Sequence, residues 1–467
     1  MRRSILALAV VLCLVGAACG GHDDAADEAT TTSAAAPGGD EGGDGGEGDD
    51  AAPAPGEFGT LDGAVCGPGD AAGATEQGVT DETIKVGVLS DSDNDFTPGL
   101  LKELVDVSEA FVDWCNEAGG INGRQIEVTV RQTRLIEAAK AVAEACSEDF
   151  MLVGGGTAFD GSVFQDRVDC GLAEITAFHN SEDAEGADLS VQPVVRHVGY
   201  EPVTIYRLAA DQLGDAIEHF GIISYQSFGG GVSFTDSVPV AVEPFGYQTV
   251  YTGNFPTPPA TVDNYRPYIE DMSSKGTRLF TSYVPPETMV PFMVAMNDAG
   301  FELDAFLGNR SNYSSALIEG NDSLDTIPTW VETIIYPFEM ADQNPPTQQF
   351  LDIMDGHISG WSDDPKALGV EAWSSWLLWA KAATECGSDL TRSCVLEKSQ
   401  VGDWDGGGLT APQTVPSDGT PEAPFCAAIM RANPDGFEYD EEFTQPNEGI
   451  FNCDEANQQN FSAALGG

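Results

Sequence analysis

Three short segments that each follow a predicted strand carry the residues best suited to binding a small molecule. They are the polar run 90–97, the glycine-rich run 154–158 (Gly-Gly-Gly-Thr-Ala) and the run 177–180 (Ala-Phe-His-Asn). In parallel α/β sheets, ligands bind beyond the carboxyl ends of the strands. Glycines allow the backbone to approach a ligand, and free N–H groups at a helix start suit a carboxylate. These loops are therefore the predicted binding region.

Each of these segments also has a structural explanation. Asp160 is a good N-cap candidate and would occupy the helix end that follows the glycine run. His179 is equally well explained as a core or hinge histidine. The run 91–95 resembles the opening of a calcium loop, but Phe96 stands where glycine is needed and Lys102 where glutamate is needed. No metal site is predicted.

The chain lacks the sequence signatures of common enzymes. It has no Gly-x-Ser-x-Gly, no His-Glu-x-x-His and no phosphate loop ending in Gly-Lys-Ser/Thr. Only five histidines are present, so a Ser/His/Asp site is hard to assemble. The prediction is a protein that is not an enzyme and needs no cofactor. The alternative, an exported hydrolase, requires a nucleophile beside His179 or His197.

The elements that position these loops begin with a strand, a helix and a second strand. Residues 84–89 form an apolar strand, and apolar residues recur at three- and four-residue steps over 100–115, which predicts an amphipathic helix. Gly119 and Gly120 end that helix. Residues 125–132 then alternate apolar and polar side chains as a strand does. This order predicts the start of a parallel α/β sheet.

The same alternation continues through the chain. Further strands are predicted at 150–153, 172–176, 220–224, 248–252, 279–283 and 305–307, and further helices at 137–145, 160–168, 203–213, 265–274 and 288–299. A chain of 467 residues is too long for one ordinary core. Two successive α/β units fit two lobes with a cleft between them. The helix at 368–383 carries Trp373, Trp376 and Trp379, which we assign to core packing rather than ligand stacking.

The N-terminus is typical of an export signal. Arg2 and Arg3 precede an apolar run, which ends in Gly-Ala-Ala-Cys-Gly at 16–20. This ending predicts lipid attachment to Cys19, with ordinary signal cleavage near Ala18 as the alternative. Residues 20–57 are mostly Gly, Ala, Asp, Glu, Thr and Pro and contain no Lys or Arg. Such a composition cannot form a core and predicts a disordered tether.

Charge and cysteine content restrict the partners and the compartment. The formal net charge of −56 makes nucleic acid and anionic lipid surfaces implausible partners. Apart from Cys13 in the signal and Cys19, eight cysteines remain. An even count in an exported protein predicts disulfides, although eight cysteines allow 105 pairings.

The run Asn-Glu-Ala-Gly-Gly-Ile-Asn-Gly-Arg at 116–124 resembles the start of the branched-chain amino-acid binding proteins of bacterial ABC importers. The resemblance extends, with gaps, over about residues 80–443. It implies the type I periplasmic-binding-protein fold, an α/β fold of two Rossmann-like lobes with a central cleft and three inter-lobe crossovers. Residues 1–19 would then be the signal and 20–79 the tether and N-terminal arm. Residues 80–198 with 337–412 would form the first lobe, and 199–336 with 413–467 the second.

The resemblance also implies a set of ligand-binding residues. These are Phe96, Gly156, Thr157, Ala158, Phe178 and His179 in the first lobe, and Phe228, Tyr283 and Asn309 in the second. Amino-acid binders place an acidic side chain near the last of these positions, for the ligand's ammonium group. This chain has Gly308, Asn309 and Arg310 there, which disfavours an α-amino acid as the ligand.

The organisation implied by the resemblance favours four disulfide pairs. Cys146 with Cys170, Cys386 with Cys394, and Cys426 with Cys453 each flank neighbouring elements, and Cys66 with Cys115 would tie down the N-terminal arm.

The function implied is that of a monomeric, lipid-anchored solute-binding protein in the cell envelope. It would close its lobes on a small polar solute, amino-acid-like or an amide, and deliver it to the membrane subunits of an ABC permease. An extracellular sensor that presents its ligated form to a signalling receptor is the alternative.

Overall fold

The first β-sheet is built from the N-terminal part of the folded chain. The computed structural model describes residues 53–195, 197–225, 234–257, 261–415 and 425–462. The signal segment, Cys19 and Phe228 lie outside these ranges. The elements of the first part are strands β1 (Thr83–Ser90), β2 (Gln125–Gln132), β3 (Met151–Val153), β4 (Glu174–Ile175) and β5 (Ser190–Val191), and helices α1 (Lys102–Glu117), α2 (Ala138–Glu148), α3 (Phe164–Asp169) and α4 (Glu182–Glu185). The strands pair in parallel in the order β2-β1-β3-β4-β5.

The opening strand, helix and strand confirm the prediction from the sequence. Helix α1 buries its apolar side against the sheet, with Leu104, Val107 and Phe111 fully covered. Gly119 and Gly120 have φ angles of 118° and 76°, a region that favours glycine. The helix predicted at 160–168 begins later, at Phe164, because residues 160–162 form a separate turn.

The second β-sheet is larger and partly antiparallel. Its part of the chain contains β6 (Tyr200–Pro202), α5 (Thr204–Gln212), β7 (Phe220–Tyr225), α6 (Phe234–Val242), β8 (Thr249–Phe255), α7 (Arg266–Ser274), β9 (Leu279–Tyr283), α8 (Pro286–Asp298), β10 (Ala305–Gly308), α9 (Ser315–Ile318) and β11 (Thr329–Thr333). Strands β8, β7, β9, β10 and β11 lie side by side and parallel.

The chain then returns to the first sheet before it completes the second. The remaining elements are α10 (Pro345–His357), α11 (Ala367–Cys386), α12 (Arg392–Lys398), β12 (Gly402–Trp404), β13 (Gln413–Val415), β14 (Ala428–Asn433), β15 (Gly436–Tyr439), α13 (Glu441–Thr444) and β16 (Gln458–Asn460). Helix α11 packs on α1, β3 and β4. Strands β14 and β15 extend the second sheet with antiparallel pairing.

The passages, which are the segments where the chain crosses from one sheet to the other, pair with each other or with neighbouring strands. Ile335 and Thr410, which lie on two different passages, form an antiparallel bridge. Strand β16 at the end of the chain pairs with β6, directly after the first passage. Two α/β sheets joined by three passages give the expected fold class. The lobe limits given above remain a prediction.

The tryptophans of α11 belong to the core, as predicted. Trp373, Trp376 and Trp379 are completely buried. The indole N–H of Trp376 donates to Ser108 Oγ of α1 at 2.8 Å, which fixes the two helices against each other. Phe58 of the N-terminal arm packs on Trp373 with ring centroids 5.4 Å apart, so the arm completes this core.

Four disulfides join the pairs that were expected: Cys66–Cys115, Cys146–Cys170, Cys386–Cys394 and Cys426–Cys453. The first of them ties the N-terminal arm to α1. In the described ranges, no helix combines the length and the apolar character needed to cross a bilayer.

Replacing Cys66 and Cys115 together by alanine should lower the free energy of unfolding by about 4 kcal/mol, because the bridge closes a loop of 49 residues. The matched control removes Cys386 and Cys394, which are 8 residues apart, with an expected loss of about 2.5 kcal/mol. Urea unfolding of both variants measures the difference. An equal or larger loss in the control would contradict the loop-closure explanation.

Candidate functional site

A buried carboxylate holds together the loops at the carboxyl end of the first sheet. Asp91 directly follows β1 and is completely buried. Its Oδ2 accepts from Thr157 Oγ1 at 3.0 Å and from the Ala158 N–H at 2.8 Å. Its Oδ1 accepts from the Thr133 hydroxyl and from the Leu135 N–H. The loops that follow β1, β2 and β3 are thereby fixed to one another.

The loop after β1 presents an aromatic side chain to solvent. The Asn94 amide nitrogen donates to the Asp91 and Thr97 carbonyls, and its oxygen accepts from the Phe96 and Thr97 N–H groups. Arg134 adds an ion pair to Asp93. Phe96 is nonetheless 50% exposed. Phe96 is therefore an exposed aromatic side chain on a loop with internal hydrogen bonds, at the edge of the sheet predicted to bind a ligand.

The glycine run after β3 faces the interior of the first lobe. A side chain at Gly156 would meet the Phe178 ring at 2.5 Å, so glycine is required there. Thr157 and Ala158 are buried and bonded to Asp91. The Ala158 N–H, expected from the sequence to be free for a ligand carboxylate, already has a carboxylate partner within the protein.

His179 lies inside the same lobe, between two acidic side chains. Its Nδ1 is 3.3 Å from Asp160 Oδ2, and its Nε2 is 3.0 Å from Ser190 Oγ and 3.5 Å from Glu174 Oε1. Burial opposes protonation, but the hydrogen bond to Asp160 and the charge of Glu174 outweigh it, so the pKa of His179 is raised. Both ring nitrogens are thus engaged by protein oxygens.

A small cavity lies among these residues. Its volume is about 20 Å³, and Gly156, Thr157, Phe178 and His179 contribute to its wall. A site needs about 10–15 Å³ of such volume to hold one water molecule. The cavity therefore has room for about one water and is too small for an organic solute.

The second sheet supplies its own group of polar and aromatic residues. Tyr283 ends β9, is 37% exposed and stacks on Phe234 with ring centroids 5.2 Å apart. Asn309 follows β10, and its amide nitrogen donates to the Ser282 carbonyl at 3.0 Å. Its side-chain oxygen accepts from Ser311 and caps the turn that follows. The structure thus brings Tyr283 and Asn309 together through Ser282.

An ion pair that sequence reasoning missed joins the two sheets. Arg310, after β10, places Nη1 3.4 Å from Glu371 Oε2 on α11 of the first lobe. The Glu371 side chain is 1% exposed and that of Arg310 29%. Burial raises the pKa of Glu371, although Arg310 opposes the shift. The sequence feature that could have revealed this pair is Glu371, because it is the single charged residue between 367 and 380 in a helix that is otherwise apolar enough for the core.

The chain belongs to the periplasmic binding protein family, whose model matches residues 83–437. It is a solute-binding protein of the kind that serves ABC transporters, with its place outside the cytoplasm. Family members bind their substrates rather than convert them. No curated protein sequence matches the chain.

Solved structures share the fold at low sequence identity. The fatty acid ABC transporter substrate-binding protein from Thermomonospora curvata has 17% identity and a TM-score of 0.63 over 82% of this chain and 96% of its own. The branched-chain amino acid transporter substrate binding protein LivJ from Streptococcus pneumoniae, in complex with isoleucine, has 14% identity and a TM-score of 0.62 over 76% and 98%. An R. palustris ABC transporter solute binding protein, in complex with 4-hydroxybenzoate, has 13% identity and a TM-score of 0.61 over 80% and 98%.

The raised pKa of His179 predicts a pH-dependent contribution to stability. A histidine whose pKa is higher in the folded state stabilises the fold below its unfolded pKa of about 6.5, and this contribution is lost as pH rises through the folded value. His179→Gln should therefore cost most at about pH 5.5 and progressively less at higher pH. Urea unfolding of both proteins over a pH series measures this, with His357→Gln as control. A cost that grows with pH would contradict the assignment.

Proposed function

We propose that the protein captures a small organic solute between two lobes and delivers it to the membrane subunits of an ABC permease. The lobes are those expected from the sequence, 80–198 with 337–412 and 199–336 with 413–467. The protein acts as a monomer and undergoes no covalent chemistry with its solute. Ligand binding stabilises the closed form, because both lobes contact the solute only when they are closed.

The observation that carries this proposal is a pair of exposed aromatic residues at the carboxyl ends of the two sheets. Phe96 is held out by a loop with internal hydrogen bonds, and Tyr283 is supported by stacking on Phe234. Aromatic side chains on fixed supports offer apolar contact area with little loss of conformational freedom on binding. We infer that they cover the apolar part of the solute from opposite lobes.

The solute is best sought among compounds that combine an apolar body with a polar head. The neighbouring structures are described with fatty acid, isoleucine and 4-hydroxybenzoate. These three chemical classes, together with amides and ureas, form a rational panel for this chain.

Native mass spectrometry of the purified protein tests the function directly, by detecting a co-purified solute. Thermal shift and calorimetry against the panel provide the affinity, and small-angle scattering with and without the solute measures lobe closure. Failure of every compound to bind, together with an unchanged scattering curve, would remove the proposal.

Phe96→Ala and Tyr283→Ala should each weaken solute binding about ten- to a hundredfold, the equivalent of about 1.5–3 kcal/mol for a covered aromatic ring. Stability should change little for Phe96→Ala, whose side chain is half exposed, and should fall by about 1 kcal/mol for Tyr283→Ala, which loses the stacking on Phe234. The matched control is Ile136→Ala, another exposed apolar residue, 80% exposed and outside the predicted loops. Calorimetry with the bound solute compares the three variants. Equal affinities in all of them would exclude the two aromatic residues from the site.

We also propose that Cys19 carries a lipid that anchors the protein to the membrane. Residue 19 lies outside the described ranges, so this proposal rests on the sequence alone. Cys19→Ser should release the protein from the membrane fraction into the soluble extracellular fraction. Membrane fractionation compares the wild-type protein with the variant, and the mass of the mature wild-type N-terminus shows whether it carries a lipid. A wild-type mass that equals that of the unmodified polypeptide would contradict lipid attachment.

A further inference from the structure

The ion pair between Arg310 and Glu371 leaves both partners short of hydrogen bonds. Glu371 Oε2 is buried and has no hydrogen-bond partner, since its contact with Arg310 Nη1 is an ion pair at 3.4 Å. Within the described residues, no protein acceptor takes a hydrogen bond from the Arg310 guanidinium. Of the two partners, the guanidinium is the one with N–H donors left for an added acceptor.

The position of this pair suits a ligand. Arg310 follows Asn309 at the carboxyl end of β10, the edge where ligands bind in open α/β sheets. Glu371 lies one helical turn before Ser375, whose hydroxyl donates to the Thr176 carbonyl at the end of the first sheet. The guanidinium therefore stands between the carboxyl ends of the two sheets.

The charges around Arg310 leave its positive charge only partly compensated. Burial raises the pKa of Glu332, on the neighbouring strand β11, to about 7, with the Glu201 charge adding to the shift and Arg310 opposing it. The pKa of Glu371 is raised by burial as well. Two carboxyl groups that resist ionisation compensate the guanidinium less than two ionised carboxylates would.

Three N–H groups of the glycine run in the first lobe already have acceptors within the protein. The Ala158 N–H already donates to Asp91, and the Gly154 and Gly156 N–H groups donate to the Ile175 and Leu89 carbonyls. A guanidinium with unused N–H groups is the alternative donor, and its planar fork matches a carboxylate in a bidentate geometry.

We propose that Arg310 is the anion-recognising residue of the cleft, so that the solute carries a carboxylate, with Glu371 orienting the guanidinium from the opposite lobe. This inference rests on the proposed function, because it identifies the chemical class of the same solute. One edge of the guanidinium faces Glu371, and the remaining N–H groups receive the carboxylate. The apolar part of the solute then extends toward Tyr283 and Phe96.

Paired compounds test this inference. Each carboxylate of the panel is titrated by calorimetry beside its primary amide, which has nearly the same shape and no charge. The wild-type protein should bind the carboxylate at least about tenfold more tightly, as expected for hydrogen bonds to a charged group. Arg310→Gln should abolish this preference, and Arg310→Lys should retain only part of it, because lysine keeps the charge but loses the fork.

The matched control is Arg278→Gln, which removes an arginine of the same lobe that pairs with Asp215 and Asp304 at the surface. It should leave the preference unchanged. Equal loss of carboxylate and amide binding in Arg310→Gln would overturn the inference, because Arg310 would then act on the lobes rather than on the charge. A neutral co-purified solute would overturn it as well. Absence of any bound solute would instead remove the proposed function, which separates the two failures.

Discussion

The rim of the first sheet depends on the burial of a single carboxylate. Asp91 has no exposed surface, yet four donors from the loops after β2 and β3 surround it. A buried carboxylate without such donors would be strongly unfavourable, and donors without the carboxylate would be left unsatisfied. The loops after β1, β2 and β3 therefore stabilise one another through Asp91. Because Asn94 bonds to the Asp91 carbonyl, this constraint extends to the loop that carries Phe96. The first lobe thus presents a preorganised surface, and adaptation to a solute must come from the relation between the two sheets.

The orientation of the two sheets relative to each other depends on short connecting segments that pair with each other. The bridge between Ile335 and Thr410 joins two passages, and the pairing of β16 with β6 ties the chain's end to the segment after the first passage. A hinge motion bends a few residues at element ends and keeps the packed cores intact. Away from these segments, side-chain contacts such as Ser315 with Asp364 and Arg310 with Glu371 connect the sheets. The exposed contact between Ser315 and Asp364 is individually weak, so a solute that forms its own contacts with both lobes can compete with it.

The sequence was sufficient for much of the fold but for less of the site. The period of apolar residues gave α1 and β2 because each buries one face, and the predicted bounds of β2 agree with the structure. The discontinuous lobes could be inferred only from family resemblance, since pairing across 100 or more residues leaves no local pattern. Asp91 was considered as a metal ligand, whereas it accepts backbone and hydroxyl hydrogen bonds. Its role depends on Thr133 and Thr157, which come close only when the sheet forms. The pairing of Arg310 with Glu371 likewise depends on how two distant segments meet.

A carboxylate solute is compatible with the strongly acidic chain because exposed charges are screened over short distances, whereas a charge within the cleft acts directly on the solute. At physiological ionic strength, exposed charges are screened beyond about 8 Å. The formal charge of −56 therefore acts mainly on the approach of an anion and on the surfaces the protein avoids. In the proposed binding mode, binding strength is decided within the cleft, where Arg310 lies 3.4 Å from the buried Glu371. In that environment one guanidinium outweighs many distant surface carboxylates. The acidic composition of the chain is therefore no argument against the proposed recognition of a carboxylate by Arg310.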